Sequence, residues 1–172
     1  HLCDTFPEEP HYFSHFGRHI NYDHSRNSDE AIPYFERAIE LDSESEVHYH
    51  GLAMVYSNLV NTTIQDIRSN SLSQEGLRIT AIDVIERIED NYESSKEYFK
   101  RAYEQSWKSE HALVSYTKLI QKAVEAIYWQ SKPRDTRDGE YKYCDLFKQN
   151  NTASKWCREA LEELEWAIAE LK

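Results

Sequence analysis

Histidine side chains near the amino terminus are the first candidates for chemistry in this sequence. His11, His15 and His19 follow one another at intervals of four residues, which places them on one stripe of a helix. Two imidazoles at this spacing can bind one zinc ion. A catalytic zinc site needs a further ligand and a general base, and the sequence has no HExxH motif. We therefore interpret the stripe as an exposed polar face, and we expect neither a metal site nor a cofactor.

Arg18 and His24 form the best candidate for an enzyme motif. Their spacing fits a loose Arg-x(4–6)-His pattern, in which the chain resembles helical ribonucleases of the HEPN family. The resemblance implies that Arg18 would stabilise charge and His24 would act as acid or base while a 2′-hydroxyl attacks RNA. The pattern is permissive, and an acidic chain binds RNA poorly. The ribonuclease is therefore an alternative, and our first expectation is that the chain is not an enzyme.

Other signatures of catalysis or of secretion are absent from the sequence. There is no Walker-type phosphate loop, no nucleophile elbow and no CxxC pair. The cysteines Cys3, Cys144 and Cys157 are odd in number, which favours reduced thiols over a disulfide framework. No apolar run approaches the roughly 18 residues of a membrane span, and no signal peptide is visible. We therefore expect a cytoplasmic protein.

Composition favours helices and a protein partner. The 172 residues include 4 Gly and 4 Pro, too few for a turn-rich sandwich or barrel. The 4 Trp, 12 Tyr and 6 Phe argue against disorder. A net charge of −11 should repel nucleic acid and anionic membranes. We expect no nucleic acid and no membrane, and instead a protein or peptide partner, basic by preference, or neighbouring domains of a parent chain.

Apolar spacing predicts an all-α fold of antiparallel helix pairs. The inward positions of the first two predicted helices are Phe13, Phe16, Gly17 and Ile20, then Ala31, Phe35 and Ala38. This order of bulky, small and aromatic residues resembles the tetratricopeptide repeat (TPR). The next aromatic position, Tyr49, follows Ala38 by the 11 residues that the repeat requires. We predict a single TPR-like domain over 1–172, with units at about 10–42, 44–106 and 109–171. A plain helical bundle is the alternative.

The second predicted unit departs from the repeat pattern. Its second-helix positions, Ser95, Phe99 and Ala102, come some thirty residues late, which places an insertion at about 61–91. We predict one long inserted helix over about 74–105, capped by Ser71 and Gln74. Later helices are predicted to end near residue 130 and to span about 141–147 and 152–171.

The repeat alignment also predicts a groove on the first helices of the units. Its positions are His11, Ser14, Arg18, Asn21, Val47 and His50. Helical repeats bind peptides or neighbouring domains through such concave faces. We expect a non-catalytic protein-interaction or autoinhibitory domain. A purely structural spacer between domains is a second alternative.

Two stretches of the chain resemble a specific class of repeat proteins. The residues FPEEPHYFSHFGR, AIPYFERAIELD and VHYHGLAMVY, and later SEHALVSYTKLIQKAVEAIY, lie within 2–56 and 92–128. They are similar to the helical region downstream of the ATPase module in STAND-type P-loop proteins. Among these they most resemble interferon-inducible sterile-alpha-motif-domain proteins and bacterial antiviral relatives. The resemblance implies a fragment of a larger defence or signalling protein, and no nucleotide site on these residues.

Overall fold

The computed structural model describes residues 2–23, 27–73, 79–106, 110–132 and 142–171, and all regular secondary structure in these ranges is helical. The α-helices are α1 (Leu2–Thr5), α2 (Pro10–Tyr22), α3 (Ile32–Leu41), α4 (Glu46–Ser73), α5 (Ala81–Gln105), α6 (Glu110–Ser131), α7 (Tyr143–Lys148) and α8 (Thr152–Glu170). A 3₁₀ turn, Ser28–Ala31, leads into α3. The predicted all-α fold is confirmed for these ranges. None of these helices combines the length and apolar character needed to cross a bilayer.

Several predicted helix boundaries agree with the structure. α2 begins at Pro10, where the missing proline N–H removes no helical hydrogen bond. The ends of α6, α7 and α8 lie within a few residues of the predicted ones. α8 is capped by Asn151, whose Oδ1 accepts a hydrogen bond from the Ser154 backbone N–H at 2.9 Å. Proline and asparagine therefore mark helix starts here for local reasons that the sequence already contains.

The predicted inserted helix over about 74–105 is wrong in its extent. α4 continues through Asn61 as far as Ser73, and α5 begins at Ala81, while residues 74–78 lie outside the described ranges. Buried Val60, Ile64 and Ile67 recur every three or four residues and keep this part of α4 packed. The extra residues therefore lengthen two helices, α4 and α5.

The predicted cap of that helix is also wrong. Ser71 lies inside α4. The start of α5 is held instead by Thr80 and Asp83. The Thr80 N–H and hydroxyl both donate to Asp83 Oδ2, at 2.6 and 2.8 Å, and the Asp83 N–H donates back to Thr80 Oγ1 at 3.2 Å. This reciprocal pattern is a capping box, and these hydrogen bonds hold the pKa of Asp83 below its usual value.

Contacts divide the chain into two units. The first comprises His1–Val60 and Asn91–Tyr116, and the second comprises Asn61–Asp90 and Thr117–Lys172. α4, α5 and α6 each contribute residues to both units. The three units predicted from the repeat alignment remain a prediction.

The core of the first unit is organised around the ring of Phe35. A Cβ added to Gly17 would lie 2.9 Å from Phe35 Cε2, and one added to Gly51 would lie 2.6 Å from Cζ. The backbones of α2 and α4 therefore approach opposite edges of the ring, which only glycine allows at this distance. Ile20, Leu52 and neighbouring apolar residues complete the cluster. Phe35 thus joins α2, α3 and α4.

α5 and α6 complete the first unit through hydrogen bonds and aromatic contacts. The buried Ser95 hydroxyl donates to the Ala53 carbonyl of α4 at 2.8 Å. The ring of Tyr98 stacks on Tyr56 with centroids 5.8 Å apart and planes at 4°. Phe99 is fully buried, and its ring lies 6.2 Å from that of Tyr116 in α6. These contacts bring the end of α5 and the start of α6 beside α4.

The second unit contains its own buried core. Leu146 of α7 and Cys157 of α8 are fully buried. The ring of Tyr143 stacks on that of Tyr128 at 4.0 Å and 15°. Arg158 Nη1 donates to the Phe147 carbonyl at 2.9 Å and fixes the end of α7 against α8.

Candidate functional site

The six predicted groove residues separate into buried and exposed positions. Ser14 and Asn21 are buried in the first unit, at 3% and 8% exposure. The Asn21 side-chain oxygen accepts a hydrogen bond from Asn58 Nδ2 at 3.0 Å, so much of its amide is engaged within the unit. His11 and Arg18 are exposed on α2. Two of the six positions therefore lie mainly inside the unit, and the groove itself remains a prediction.

Three of the predicted residues, Arg18, Val47 and His50, meet in one pocket of the first unit. The pocket has a volume of about 260 Å³. Its other lining residues are Glu46, Ala102, Ser106, His111 and Ala112. α2, α4, α6 and the carboxyl-terminal end of α5 all contribute. The walls are apolar at Val47 and the two alanines, and the polar groups are Arg18, Glu46, Ser106 and the two histidines.

His50 lies at the inner side of this pocket. Its Nε2 is 3.3 Å from Ser115 Oγ, and its ring centroid is 5.7 Å from that of Phe99. Burial lowers the pKa of His50, and the positive charges of His111 and Arg18 lower it further. Without a ligand, His50 is therefore mainly neutral at pH 7. A negative charge placed among these three side chains would offset the same effects.

A second pocket of the first unit shares Arg18 and His50 with the first pocket. It has a volume of about 280 Å³, and its lining residues are Arg18, Asn21, Tyr22, Phe35, His50, Gly51 and Met54. Arg18 also lines an open depression with His15, His19, Tyr22 and Asp23. We call these two pockets, which share Arg18 and His50, the Arg18–His50 surface. Four of the six predicted groove residues line it: Arg18, Asn21, Val47 and His50.

Sequence reasoning missed His111 in this surface. His111 lies in the first turn of α6, next to residues 107–109, which the structure does not describe. No local pattern marks it, because it reaches the pocket only through the packing of α6 beside α4. Histidine in a helical first turn was the available signal, and it is a weak one.

His48 is a second missed histidine, and it is buried. It is 4% exposed, and its Nδ1 lies 2.5 Å from the hydroxyl of Ser14. Its Nε2 has no hydrogen-bond partner, with Asp42 Oδ2 at 3.9 Å. Burial lowers the pKa of His48, and Asp42 opposes that shift. Ser14 therefore contributes to the interior of the unit through His48.

The histidine stripe of α2 yields a pair of interacting imidazoles. His11 Nε2 lies 2.8 Å from His15 Nε2, and the rings are 4.2 Å apart and nearly perpendicular. Burial, and then the charges of His11 and Arg18, lowers the pKa of His15. Across the described ranges, no group of three or more His, Cys, Asp or Glu side chains could hold a metal ion. This geometry fits a hydrogen bond in which the Nε2–H of one imidazole donates to the unprotonated Nε2 of the other.

Two of the three cysteines are buried thiols with raised pKa values. Burial raises the pKa of the Cys157 thiol to about 12 and also raises that of Cys3, so both favour the unreactive thiol form. All three cysteines are free, and Cys144 is the exposed one. His24 lies outside the described residues, so the Arg18–His24 pair has no geometry to report.

Comparisons with known proteins give no match. No family model matches the chain, and neither a curated protein nor a solved structure matches it.

Proposed function

We propose that this chain is a non-catalytic, TPR-like helical-repeat domain that binds a peptide segment of a partner protein or of a neighbouring domain. The observation that carries the proposal is the Arg18–His50 surface, in which one arginine and one histidine line both of two pockets. Residues from five helices, α2 to α6, line it, so the surface depends on the folded unit. Exposed polar groups next to apolar walls are typical of binding sites.

The packing of Phe35 supports the repeat part of the proposal. Gly17 and Gly51 leave room for the ring between α2 and α4, as expected where small residues of one helix receive a large residue of the next. The resemblance of 2–56 and 92–128 to STAND-type P-loop proteins supports a defence or signalling role for a parent chain, with this domain as sensor or autoinhibitory segment.

Selection of binding peptides tests the proposal. Random peptides displayed on phage are selected on the purified chain, and the dissociation constants of synthetic copies are measured by fluorescence polarisation. We expect Arg18→Glu to weaken binding by about tenfold or more, because it reverses a charge at the centre of the surface. Lys155→Glu is the matched control, since it makes the same charge change in α8, at a side chain that is 74% exposed and outside the surface.

The two alternative functions predict different results. A structural spacer predicts that no peptide is enriched, or that Arg18→Glu and Lys155→Glu behave alike. The ribonuclease predicts metal-independent cleavage of RNA that is abolished by His24→Ala. Either result would replace the binding proposal.

A further inference from the structure

The pocket between Arg18, His50 and His111 combines two features that suit a particular ligand group. Its walls at Val47, Ala102 and Ala112 are apolar, whereas three of its polar lining side chains, Arg18, His50 and His111, are or can become cationic. An anion on a short apolar stem would satisfy both features. Carboxylates fit an arginine and imidazolium groups through charge-assisted hydrogen bonds.

The charges lining the pocket favour a single negative charge. α2 supplies Arg18, α4 supplies Glu46 and His50, and α6 supplies His111. Ala102 of α5 and Ser106, which directly follows α5, do not titrate near pH 7. When both histidines are neutral, the positive charge of Arg18 and the negative charge of Glu46 cancel. Protonation of one histidine leaves one positive charge, which a carboxylate matches and a doubly charged phosphate exceeds.

We propose that this pocket receives the carboxylate of an acidic side chain in the bound peptide, and that a proton is taken up as it binds. The inference rests on the proposed function, since it specifies what the Arg18–His50 surface recognises. The second pocket, beyond Arg18 and His50, gives the flanking peptide residues a place to lie. An acidic residue within a peptide therefore fits the surface better than a small free anion.

This inference differs from the preference for a basic partner predicted from composition. The net charge of −11 acts through the whole surface and is screened beyond about 10 Å at ordinary salt. A pocket responds to the groups that line it, and here two histidines and an arginine face one glutamate. The whole chain can therefore be acidic while its pocket selects an acid.

Proton uptake follows from the surroundings of His50. In the free protein, burial and the positive charges of His111 and Arg18 disfavour the imidazolium of His50. A bound carboxylate favours the imidazolium, so the pKa of His50 rises on binding. A group that gains a proton on binding makes affinity increase as the pH falls. We expect the dissociation constant to fall by about threefold to tenfold per pH unit between about pH 7.5 and pH 5.5, up to the limit of one proton.

The first test uses propionate as the probe, because it is a carboxylate on a short apolar stem. The histidine Cε1–H signals of the full chain are followed by NMR as sodium propionate is added, and His50→Gln and His111→Gln assign the two resonances. We expect saturable shifts of both signals, tighter at low pH and lost in Arg18→Gln. Propionamide is the uncharged control. The absence of saturable shifts would overturn the inference, and so would tighter binding of inorganic phosphate at the same pH.

The second test uses the peptides selected on the chain. Each acidic residue is replaced by its amide, and the carboxyl terminus is amidated in a separate peptide. We expect one Glu→Gln or Asp→Asn replacement to weaken binding at pH 6 and to remove most of its pH dependence, while terminal amidation has no effect. Sensitivity to amidation alone would assign the pocket to a chain terminus and contradict the inference.

The two tests separate the inference from the proposed function. Peptides that bind through Arg18 but tolerate every acid-to-amide replacement would overturn the inference and leave the proposed function standing. Propionate binding that requires Arg18, with no peptide selected, would keep the carboxylate pocket and overturn the peptide-binding function. Arg18 is exposed, so its replacement leaves the fold intact and both results interpretable.

Discussion

Nδ1 of His48 lies 2.5 Å from the hydroxyl of Ser14, and this contact joins α4 to α2 inside the first unit. Both side chains are buried, and the other ring nitrogen of His48 has no hydrogen-bond partner. Without the Ser14 hydroxyl, the buried Nδ1 of His48 would have no partner and would still carry the cost of its desolvation. The Ser14–His48 hydrogen bond should therefore stabilise the unit more than an average hydrogen bond does.

Replacement of Ser14 by alanine should therefore destabilise the protein. We expect Ser14→Ala to lower the free energy of unfolding by about 1–3 kcal/mol, because His48 would be left with two unpaired ring nitrogens. Urea denaturation followed by circular dichroism measures this change. Thr62→Ala is the control, because it removes a hydroxyl from an exposed side chain of α4. It should change the free energy of unfolding by less than about 0.5 kcal/mol. Equal losses in the two variants would contradict the role of the contact.

Stability should fall as the solution becomes acidic through the histidine range. The pKa of His48 is lowered in the folded protein, so below its ordinary value of 6.5 the unfolded chain binds a proton that the folded chain does not. Unfolding is then favoured as the pH falls, and His15 and His50 act in the same direction. We expect a loss of about 1 kcal/mol or more between about pH 7.5 and 5.5.

Urea midpoints across this pH range check the effect, and His48→Gln identifies its main source. The variant should show a shallower pH dependence than the wild type, whatever its stability at neutral pH. Asp83 and Asp145 titrate below this range, since hydrogen bonds lower the pKa of each below 3.8. An unchanged slope in His48→Gln would show that His48 is not responsible.

Because Gly51 lies so close to Phe35, we predict that Gly51→Ala destabilises the wild-type protein but stabilises a variant that lacks the ring of Phe35. Gly51→Ala in the wild type places a methyl group against the ring and should destabilise by about 1–3 kcal/mol. In a Phe35→Leu background the ring edge is gone, and alanine should stabilise α4 by up to about 1 kcal/mol relative to glycine. Denaturation of the four proteins measures the coupling. Destabilisation of the same size in both backgrounds would exclude contact with the ring as its cause.

The three thiols should differ strongly in reactivity. Cys144 is exposed, whereas Cys3 and Cys157 are buried and have raised pKa values, about 12 for Cys157. Brief treatment of the native protein with iodoacetamide at neutral pH should therefore modify Cys144 first, as read by peptide mass spectrometry. Denatured protein, in which all three thiols react, is the control. Modification of Cys157 at the rate of Cys144 would show that its helix opens readily.

Local sequence patterns were sufficient for some parts of the fold. Pro10 marks the start of α2, because proline suits the first helical turn. A small residue at Gly17 and an aromatic one at Phe35, at their repeat positions, predict a close contact between two helices. The continuation of α4 past Asn61 does not follow from the repeat pattern, and Asn61 and the threonines after it are weak helix formers. Tertiary burial of Ile64 and Ile67 overrides that preference.

The site was harder to predict than the fold. The repeat positions predict Arg18 and His50 as groove residues, and both line the same two pockets, while their role in binding remains a prediction. Helical periodicity cannot say which polar residues on two helices will pair, so Ser14 was assigned to the groove although its partner is His48. His111 enters the pocket only because α6 packs beside α4, a contact between residues far apart in sequence.

The ring of Phe35 also affects the spacing of side chains in the Arg18–His50 surface. Arg18 directly follows Gly17, and His50 directly precedes Gly51, so each of these side chains is attached next to a glycine that contacts the ring. The width of one aromatic ring thereby sets the gap that separates Arg18 from His50. A smaller side chain at residue 35 would let α2 and α4 approach each other and narrow this gap. The spacing of the ligand groups that the surface can bind would then change, although Arg18 and His50 stayed the same.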